Sequence, residues 1–179
     1  MKTWTSRGFV DLYLLFFIHP GTRRVIVSGI TANPDGAWMK QQARNVTGEI
    51  RELGFASPEI LIIDHDTKYT KEFDAIFASE GTKVQRVGPR APNLNAYAER
   101  FVQTLRQECL DHFVIFGEKH LRHLVSEFVA HYHQERPHQN LGNRPPVLVE
   151  TDESIPRNGP IRCQTRLGGL LKHYTRLAA

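Results

Sequence analysis

Residues 61–99 read LIIDHDTKYTKEFDAIFASEGTKVQRVGPRAPNLNAYAE, and this stretch decides the fold. The pattern predicts a fully apolar strand over residues 60–63, a short helix, a second strand over residues 83–87, a loop and a further helix. Asp64 ends the first strand, and Glu99 lies one turn into the last helix, 35 positions later. The carboxyl ends of strands in open α/β sheets are where ligands bind. Asp64 at such an edge and Glu99 on the helix that follows are candidate ligands for a pair of metal ions.

Spacing alone does not assign this chemistry. Asp64 can equally start a turn, and Glu99 can be a solvated first-turn residue favoured by the helix dipole. The metal-ligand interpretation requires the helix to pack beside the strand so that both carboxylates approach the same ions.

Composition limits the broad class of protein. The chain has 179 residues, of which 40% are hydrophobic and 23% charged, as expected for one globular domain with a tail. The net charge of +4 is compatible with a polyanionic partner but is weak evidence by itself. Two cysteines in no CxxC pair suggest neither a disulfide framework nor a zinc site, which favours the reducing cytoplasm. The longest apolar run, residues 12–18, is too short for a membrane helix.

Upstream of the opening stretch, residues 9–18 predict a buried strand that pairs antiparallel with residues 24–30 across a His-Pro-Gly turn. Asn33-Pro34-Asp35 then starts a helix. Its predicted apolar face comprises Met39, Ala43, Val46, Ile50 and Leu53.

Two more helices are predicted downstream. The first has Ala98, Phe101, Val102, Leu105 and Cys109 on its apolar face, with Glu99, Gln103 and Arg106 on its polar face. The second begins near Glu118, and its apolar positions are Leu121, Leu124, Val125, Phe128, Val129 and Tyr132. We expect the main domain to cover residues 1–148 and residues 149–179 to form a loosely packed basic tail.

The motifs around both carboxylates resemble those of retroviral-type integrases and insertion-sequence transposases, the DDE superfamily. That family has an Asp opening a D-x-x-x-x-[YF]-T motif and a Glu in N-A-x-x-E-x-F. Asp64 precedes Tyr69-Thr70 here, and Asn95-Ala96 precede Glu99 and Phe101. The roughly 35-residue gap between the two acids also matches the family, and the likeness extends over about residues 1–150.

The resemblance implies a ribonuclease H-like fold, in which helices flank a mixed five-stranded sheet, here with an incomplete first strand. It also implies DNA integration or transposition: metal-dependent cleavage of a DNA phosphodiester and strand transfer, with Mg²⁺ or Mn²⁺ in a two-metal site. Asp64 and Glu99 would be the catalytic metal ligands. The partners implied are the element ends and the target DNA, bound by a homo-oligomer.

The family's first triad Asp has no counterpart within this sequence. The turn that follows it resembles residues 4–8, which places the matching position before Met1. We therefore expect weak metal binding and little strand-transfer or nuclease activity. Asp11 is a less suitable replacement because it opens the second strand. Asp66 is an alternative to Asp64, but we expect it to serve a turn or to supply an auxiliary charge.

Several other residues have two interpretations. Arg86, Arg90, Arg100 and Arg106 flank the proposed site and are candidate phosphate contacts, although each can be ordinary solvated charge. The histidine-rich region comprises His120, His123, His131, His133 and His138, and surface, packing or phosphate-contacting roles are favoured there over a metal site. The alternatives to a transposase core are a non-catalytic nucleic-acid-binding remnant of the same fold and an unrelated α/β domain.

Overall fold

A computed structural model describes residues 1–5, 8–87, 95–147 and 159–176. Its strands are β1 (Lys2–Thr5), β2 (Gly8–Asp11), β3 (Tyr13–Ile18), β4 (Val25–Thr31), β5 (Ile60–Ile63), β6 (Lys83–Arg86), β7 (Ile161–Arg166) and β8 (Leu171–Arg176). Its helices are α1 (Gly36–Glu52), α2 (Lys71–Ser79), α3 (Ala96–Glu108) and α4 (Gly117–Gln134). The result is a mixed α/β architecture, as the sequence predicted.

The strands described form small sheets. Within the described ranges, β1 pairs with β2, β3 with β4, β5 with β6 and β7 with β8. The pair β5–β6 is parallel, and Ile63 lies opposite Arg86 at its carboxyl end. The predicted pairing of β3 with β4 is present, and the turn between them is closed by a hydrogen bond from the His19 amide to the Arg24 carbonyl at 2.9 Å.

The chain divides into two compact units. The first comprises Met1–Lys2, Phe9–Ile18 and Ile26–Phe101, and the second comprises Thr3–Gly8, His19–Val25 and Val102–Ala179. Each unit has its own buried residues and is described separately below.

The first unit is built around an aromatic and aliphatic core. Its buried residues are Leu15, Met39, Ala43, Val46, Phe73 and Phe77. The predicted helix face is therefore confirmed at Met39, Ala43 and Val46, whereas Leu53 at the end of α1 is half exposed. Gly29 on β4 permits close packing of α1, because a Cβ there would lie 2.7 Å from Gln42 Oε1.

Caps fix where the helices of the first unit begin. The Asp35 carboxylate accepts the Trp38 amide at 2.8 Å, and the Thr70 hydroxyl accepts the Phe73 amide at 3.4 Å. Both caps satisfy amides that have no partner within the helix. The sequence signal Asn33-Pro34-Asp35 thus marked the start of α1 within a few residues.

The second unit is organised by α4, whose predicted apolar face is buried. Leu121, Leu124, Val125, Phe128 and Tyr132 are each at most 5% exposed. Thr3 on β1 is also buried, and its hydroxyl donates to the Ile115 carbonyl and accepts the Gly117 amide, both at 2.8 Å. The N-terminal strand is thereby fixed to a segment more than one hundred residues away.

Two predictions about local structure were wrong. Residues 9–18 do not form one strand, because β2 ends at Asp11 and β3 begins at Tyr13. Leu12 between them exchanges backbone hydrogen bonds with Met1 at 2.7 and 2.9 Å. The basic tail is also not loosely packed throughout, because residues 161–176 form the antiparallel hairpin β7–β8.

Candidate functional site

Asp64 emerges at the carboxyl edge of the parallel pair β5–β6. Ile63, the last residue of β5, is buried, and its carbonyl accepts the Val87 amide at 2.8 Å. The next residue, Asp64, is exposed. The apolar strand ILII therefore ends by placing a carboxylate at the edge predicted from sequence.

A chain of hydrogen bonds shapes the loop that follows. Asp64 Oδ1 accepts the Asp66 amide at 3.1 Å, and Asp66 Oδ1 accepts the Lys68 amide at 3.0 Å. The Tyr69 amide then donates to the Asp66 carbonyl at 3.1 Å. Such bonds from Asp side chains to amides two residues on are typical of turns. The expected turn role of Asp66 is confirmed, and Asp64 takes part in the same turn.

The two aspartates differ in their charged neighbours. The Lys68 ammonium lies 2.8 Å from Asp66 Oδ2. The hydrogen bonds from Lys68 lower the pKa of the Asp66 carboxyl, and the hydrogen bond with Asp66 raises the pKa of Lys68. Within the described ranges, no cationic side chain forms an ion pair with Asp64. Of the two aspartates, Asp64 is therefore the one whose carboxylate has no direct counterion among the described residues.

A cavity of about 160 Å³ lies beside these residues in the first unit. Asp64, Asp66 and Lys68 form its polar side, and Tyr13, Trp38 and Tyr69 contribute aromatic walls. The Lys68 ammonium lies 5.2 Å from the centroid of the Tyr13 ring, within cation–π range. Burial raises the pKa of Tyr69 to about 12, and the charges of Asp64 and Asp66 act in the same direction.

Sequence reasoning missed Lys68, Tyr13 and Trp38 as part of this site. The spacing Asp66-x-Lys68 could have indicated this ion pair. When an Asp side chain accepts the amide two residues later in a turn, the side chain of that later residue lies close to the same carboxylate. Tyr13 and Trp38 carried no such signal, since they reach the cavity only through the packing of β3 and α1.

Glu99 is exposed near the start of α3, also in the first unit. The neighbouring Phe101 is only 1% exposed, and its ring lies 4.8 Å from that of Phe16. The buried Phe101 fixes the orientation of the first turns of α3. Glu99 therefore occupies the polar side of this helix, as predicted.

The candidate metal ligands do not form a closed metal centre. Among the described residues, no group of three or more His, Cys, Asp or Glu side chains is arranged to hold a metal ion. Asp11, the weaker candidate for the third ligand, therefore does not complete a site with Asp64 and Glu99. Within the described ranges, the residues therefore supply no three-carboxylate centre for two metal ions.

The four candidate phosphate-binding arginines have different surroundings. Arg86 lies 2.9 Å from the Asp74 carboxylate and donates to the Tyr69 carbonyl at 3.1 Å. Arg106 is exposed and lies 3.7 Å from Asp111. Arg100 is exposed on α3, and Arg90 falls outside the described residues.

Three of these histidines pack in the second unit, which was one of the expected roles. His133 Nε2 accepts the Val25 amide at 2.9 Å, and burial lowers the pKa of His133 to about 4. His138 is buried against Tyr132, with ring centroids 4.5 Å apart, and its Nε2 bonds the Tyr132 carbonyl. His120 lies stacked on Phe116.

Comparison with known proteins supports the motif-based resemblance. Residues 80–146, which include Glu99 but not Asp64, match the family model described as Integrase core domain. Over 91 residues, 50% of this chain, the sequence is 31% identical to the insertion element IS476 uncharacterized 39.2 kDa protein of Xanthomonas euvesicatoria. The aligned region covers 26% of that relative's length. The helices of the described ranges include none with the length and apolar character needed to span a membrane.

Proposed function

Since the matched segment supports an integrase/transposase catalytic core, we propose that this chain acts in DNA integration or transposition by metal-dependent cleavage and joining of phosphodiesters. The observation that carries this proposal is the position of Asp64. It is an exposed carboxylate at the carboxyl edge of a parallel strand pair, without a counterion among the described residues, while its neighbour Asp66 is neutralised by Lys68.

Asp64 and Glu99 are the carboxylates we assign to the metal ions. Mg²⁺ and Mn²⁺ prefer oxygen ligands, and a two-metal site requires several carboxylates on separate rigid elements. Asp64 follows a strand, and Glu99 is held on a helix that the buried Phe101 packs against the core of the first unit. Such supports restrict the motion of both side chains, as a metal site requires.

We propose that two carboxylates alone hold these metals weakly, which impairs catalysis by the 179-residue chain. The fold proposed is ribonuclease H-like, and the partners proposed are element ends and target DNA bound by a multimer. Arg100, Arg106 and Arg90 are proposed to contact phosphates, whereas Arg86 divides its donors between phosphate and Asp74.

Isothermal titration with Mn²⁺ and a strand-joining assay on oligonucleotide duplexes test this proposal. The 179-residue chain should bind Mn²⁺ weakly and join little DNA. An engineered N-terminal extension that places an Asp on a strand ahead of Trp4 should increase both. Full joining activity in the unextended chain would contradict the impairment.

A non-catalytic nucleic-acid-binding module is the second candidate. It is favoured by the absence of a three-ligand metal group among the described residues, together with the net charge of +4. In that case DNA binding would persist in EDTA, and the extension would restore neither metal binding nor joining.

A further inference from the structure

The cavity beside Asp64 in the first unit has walls that are fixed by the surrounding core. Leu15 and Met39 form part of its apolar lining, and both are buried. The Tyr69 ring, also in the lining, packs edge-on against the Phe73 ring with centroids 5.1 Å apart. Phe73 has no exposed surface, so this wall cannot easily move away. The cavity is therefore formed before any ligand arrives.

Trp38 and Tyr13 supply two further aromatic rings to this cavity. Trp38 lies in the first turn of α1, where its amide donates to the Asp35 carboxylate at 2.8 Å. Close packing against β4 also restrains its ring, because a Cβ at Gly29 would lie 2.9 Å from Trp38 Cζ2. Together with Tyr69, three aromatic rings line one small space. Aromatic rings are the surfaces on which proteins stack unpaired nucleobases.

The volume of the cavity limits what can enter it. It measures about 160 Å³, close to the roughly 150 Å³ of an apolar protein cavity that holds one benzene molecule. A single six-membered ring therefore fits, whereas the fused double ring of a purine exceeds the space. Among the nucleobases, this restricts the occupant to a pyrimidine.

The polar side of the cavity distinguishes between the pyrimidines. Asp64 Oδ1 accepts the Asp66 amide, and Asp64 Oδ2 has no hydrogen-bond partner among the described residues. Lys68 is already paired, because its ammonium contacts both Asp66 oxygens and lies over the Tyr13 ring. The group left to contact a ligand is therefore an acceptor. Cytosine offers it the N4 amine, a donor, whereas thymine offers the O4 oxygen, another acceptor.

We propose that this cavity holds one unpaired cytosine base of a DNA strand, stacked on its aromatic walls and bound through N4 to the Asp64 carboxylate. DNA as the source of the base rests on the proposed function, whereas the fit of the base does not. A paired base cannot enter so small a space, so the nucleotide must be single-stranded or turned out of the duplex.

The proposed base and the proposed metal ions can share Asp64. A carboxylate has about four lone-pair sites, so one hydrogen bond from N4 leaves others for metal ions. A cytosine held here lies next to the carboxylate assigned to the chemistry. The cavity would thereby select the nucleotide beside the reacting phosphodiester.

Tryptophan fluorescence of the full 179-residue chain measures this binding. The chain has two tryptophans, and Trp4→Phe leaves Trp38 as the sole reporter. In EDTA, deoxycytidine should quench this fluorescence to saturation, with an affinity at least about tenfold above those of thymidine and deoxyadenosine. Equal binding of the three nucleosides, or no quenching, would overturn the proposal. This comparison needs no substitution in the cavity, so it holds even if a cavity variant fails to fold.

Two substitutions in the Trp4→Phe chain test the walls and the carboxylate separately. Tyr13→Leu removes an aromatic wall and should weaken deoxycytidine binding at least about fivefold. Asp64→Asn should weaken deoxycytidine binding but not thymidine binding, because the amide can donate to O4. Tyr174→Leu is the matched control: it removes a tyrosine that is 62% exposed in the second unit and should leave the affinity unchanged. Equal losses in the two tyrosine variants would contradict a site at this cavity.

Oligonucleotide duplexes test whether DNA supplies the base. A duplex with one unpaired cytosine should quench Trp38, whereas the same duplex with an unpaired thymine, or with every base paired, should not. Quenching by deoxycytidine but not by the duplex with the unpaired cytosine would overturn DNA as the ligand.

The joining assay on the extended chain separates this inference from the proposed function. Joining without cytosine-dependent quenching would refute the inference alone. Cytosine-dependent quenching without joining would refute the proposed function alone.

Discussion

The Lys68 ammonium lies 2.8 Å from the Asp66 carboxylate in the loop that follows β5. The two residues are only two positions apart in the sequence. This pair separates two aspartates that look equivalent in the sequence Asp-His-Asp. Asp66 has a counterion and a turn role, whereas Asp64 has only the Asp66 amide as a hydrogen-bond partner among the described residues. The proposal that Asp64 rather than Asp66 is a metal ligand rests on this difference.

Substitution of each aspartate tests that assignment. Asp64→Asn should lower Mn²⁺ affinity at least about tenfold, because it removes a proposed ligand. Asp66→Asn should change the affinity less than about threefold, since its charge is already offset by Lys68. Isothermal titration measures both. A larger loss in Asp66→Asn than in Asp64→Asn would reverse the assignment.

Arg86 is expected to stabilise the first unit. Arg86→Ala removes its ion pair with Asp74 and its bond to the Tyr69 carbonyl, and should lower the free energy of unfolding by about 1 kcal/mol after allowance for solvent screening. Arg106→Ala is the matched control, because its 3.7 Å pair with Asp111 is mostly exposed, and it should cost under about 0.5 kcal/mol. Urea denaturation compares the two. Equal effects would mean that the Asp74 pair contributes little.

Thr3 is expected to be important for the N-terminal strand. Thr3→Val keeps the side-chain volume but leaves the Ile115 carbonyl and the Gly117 amide without their hydroxyl partner. Because Thr3 is 1% exposed, water cannot replace it, and the free energy of unfolding should fall by about 2 kcal/mol. Thr47→Val, whose hydroxyl bonds the Arg44 carbonyl in a more exposed setting, should change it by less than about 0.5 kcal/mol in the same urea titration.

His133 should make stability depend on pH. Its pKa in the folded chain is about 4, below the ordinary value of 6.5, so between these values the unfolded chain binds more protons. The stabilisation is complete above pH 6.5 and is lost as pH falls toward 4. At pH 5 the loss should be about 2 kcal/mol relative to pH 7.5.

His133→Gln provides the control for this pH dependence. The Gln side chain can accept the Val25 amide but does not titrate, so urea unfolding at pH 7.5 and pH 5 should show a smaller difference than in the unsubstituted chain. Some dependence should remain, because burial also lowers the pKa of His138. If the difference in unfolding free energy between pH 7.5 and pH 5 were the same in both chains, His133 would not be the group that causes the pH dependence.

Much of the local structure could be predicted from sequence because it depends on periodicity. The apolar positions of α4 repeat at helical spacing, and five of the six predicted are buried. The strand ILII and the polar aspartate after it likewise predicted the edge at which Asp64 lies. The spacing of apolar residues within one segment is enough to predict whether it forms a helix or a strand and which of its faces is buried.

The sequence by itself therefore determined the helices α1 to α4, the strands β4 to β6, the two candidate carboxylates and the resemblance to an integrase-type core. Only the tertiary structure decided that Arg86 pairs with Asp74, that Thr3 binds Ile115, and that the basic C-terminal segment is a hairpin anchored by Arg166 to Glu135. The physical reason is that an ion pair or a hydrogen bond depends on which atoms folding brings within about 3 Å. The periodicity of apolar residues along the chain does not predict which groups will bond when they lie 12, 112 or 31 positions apart.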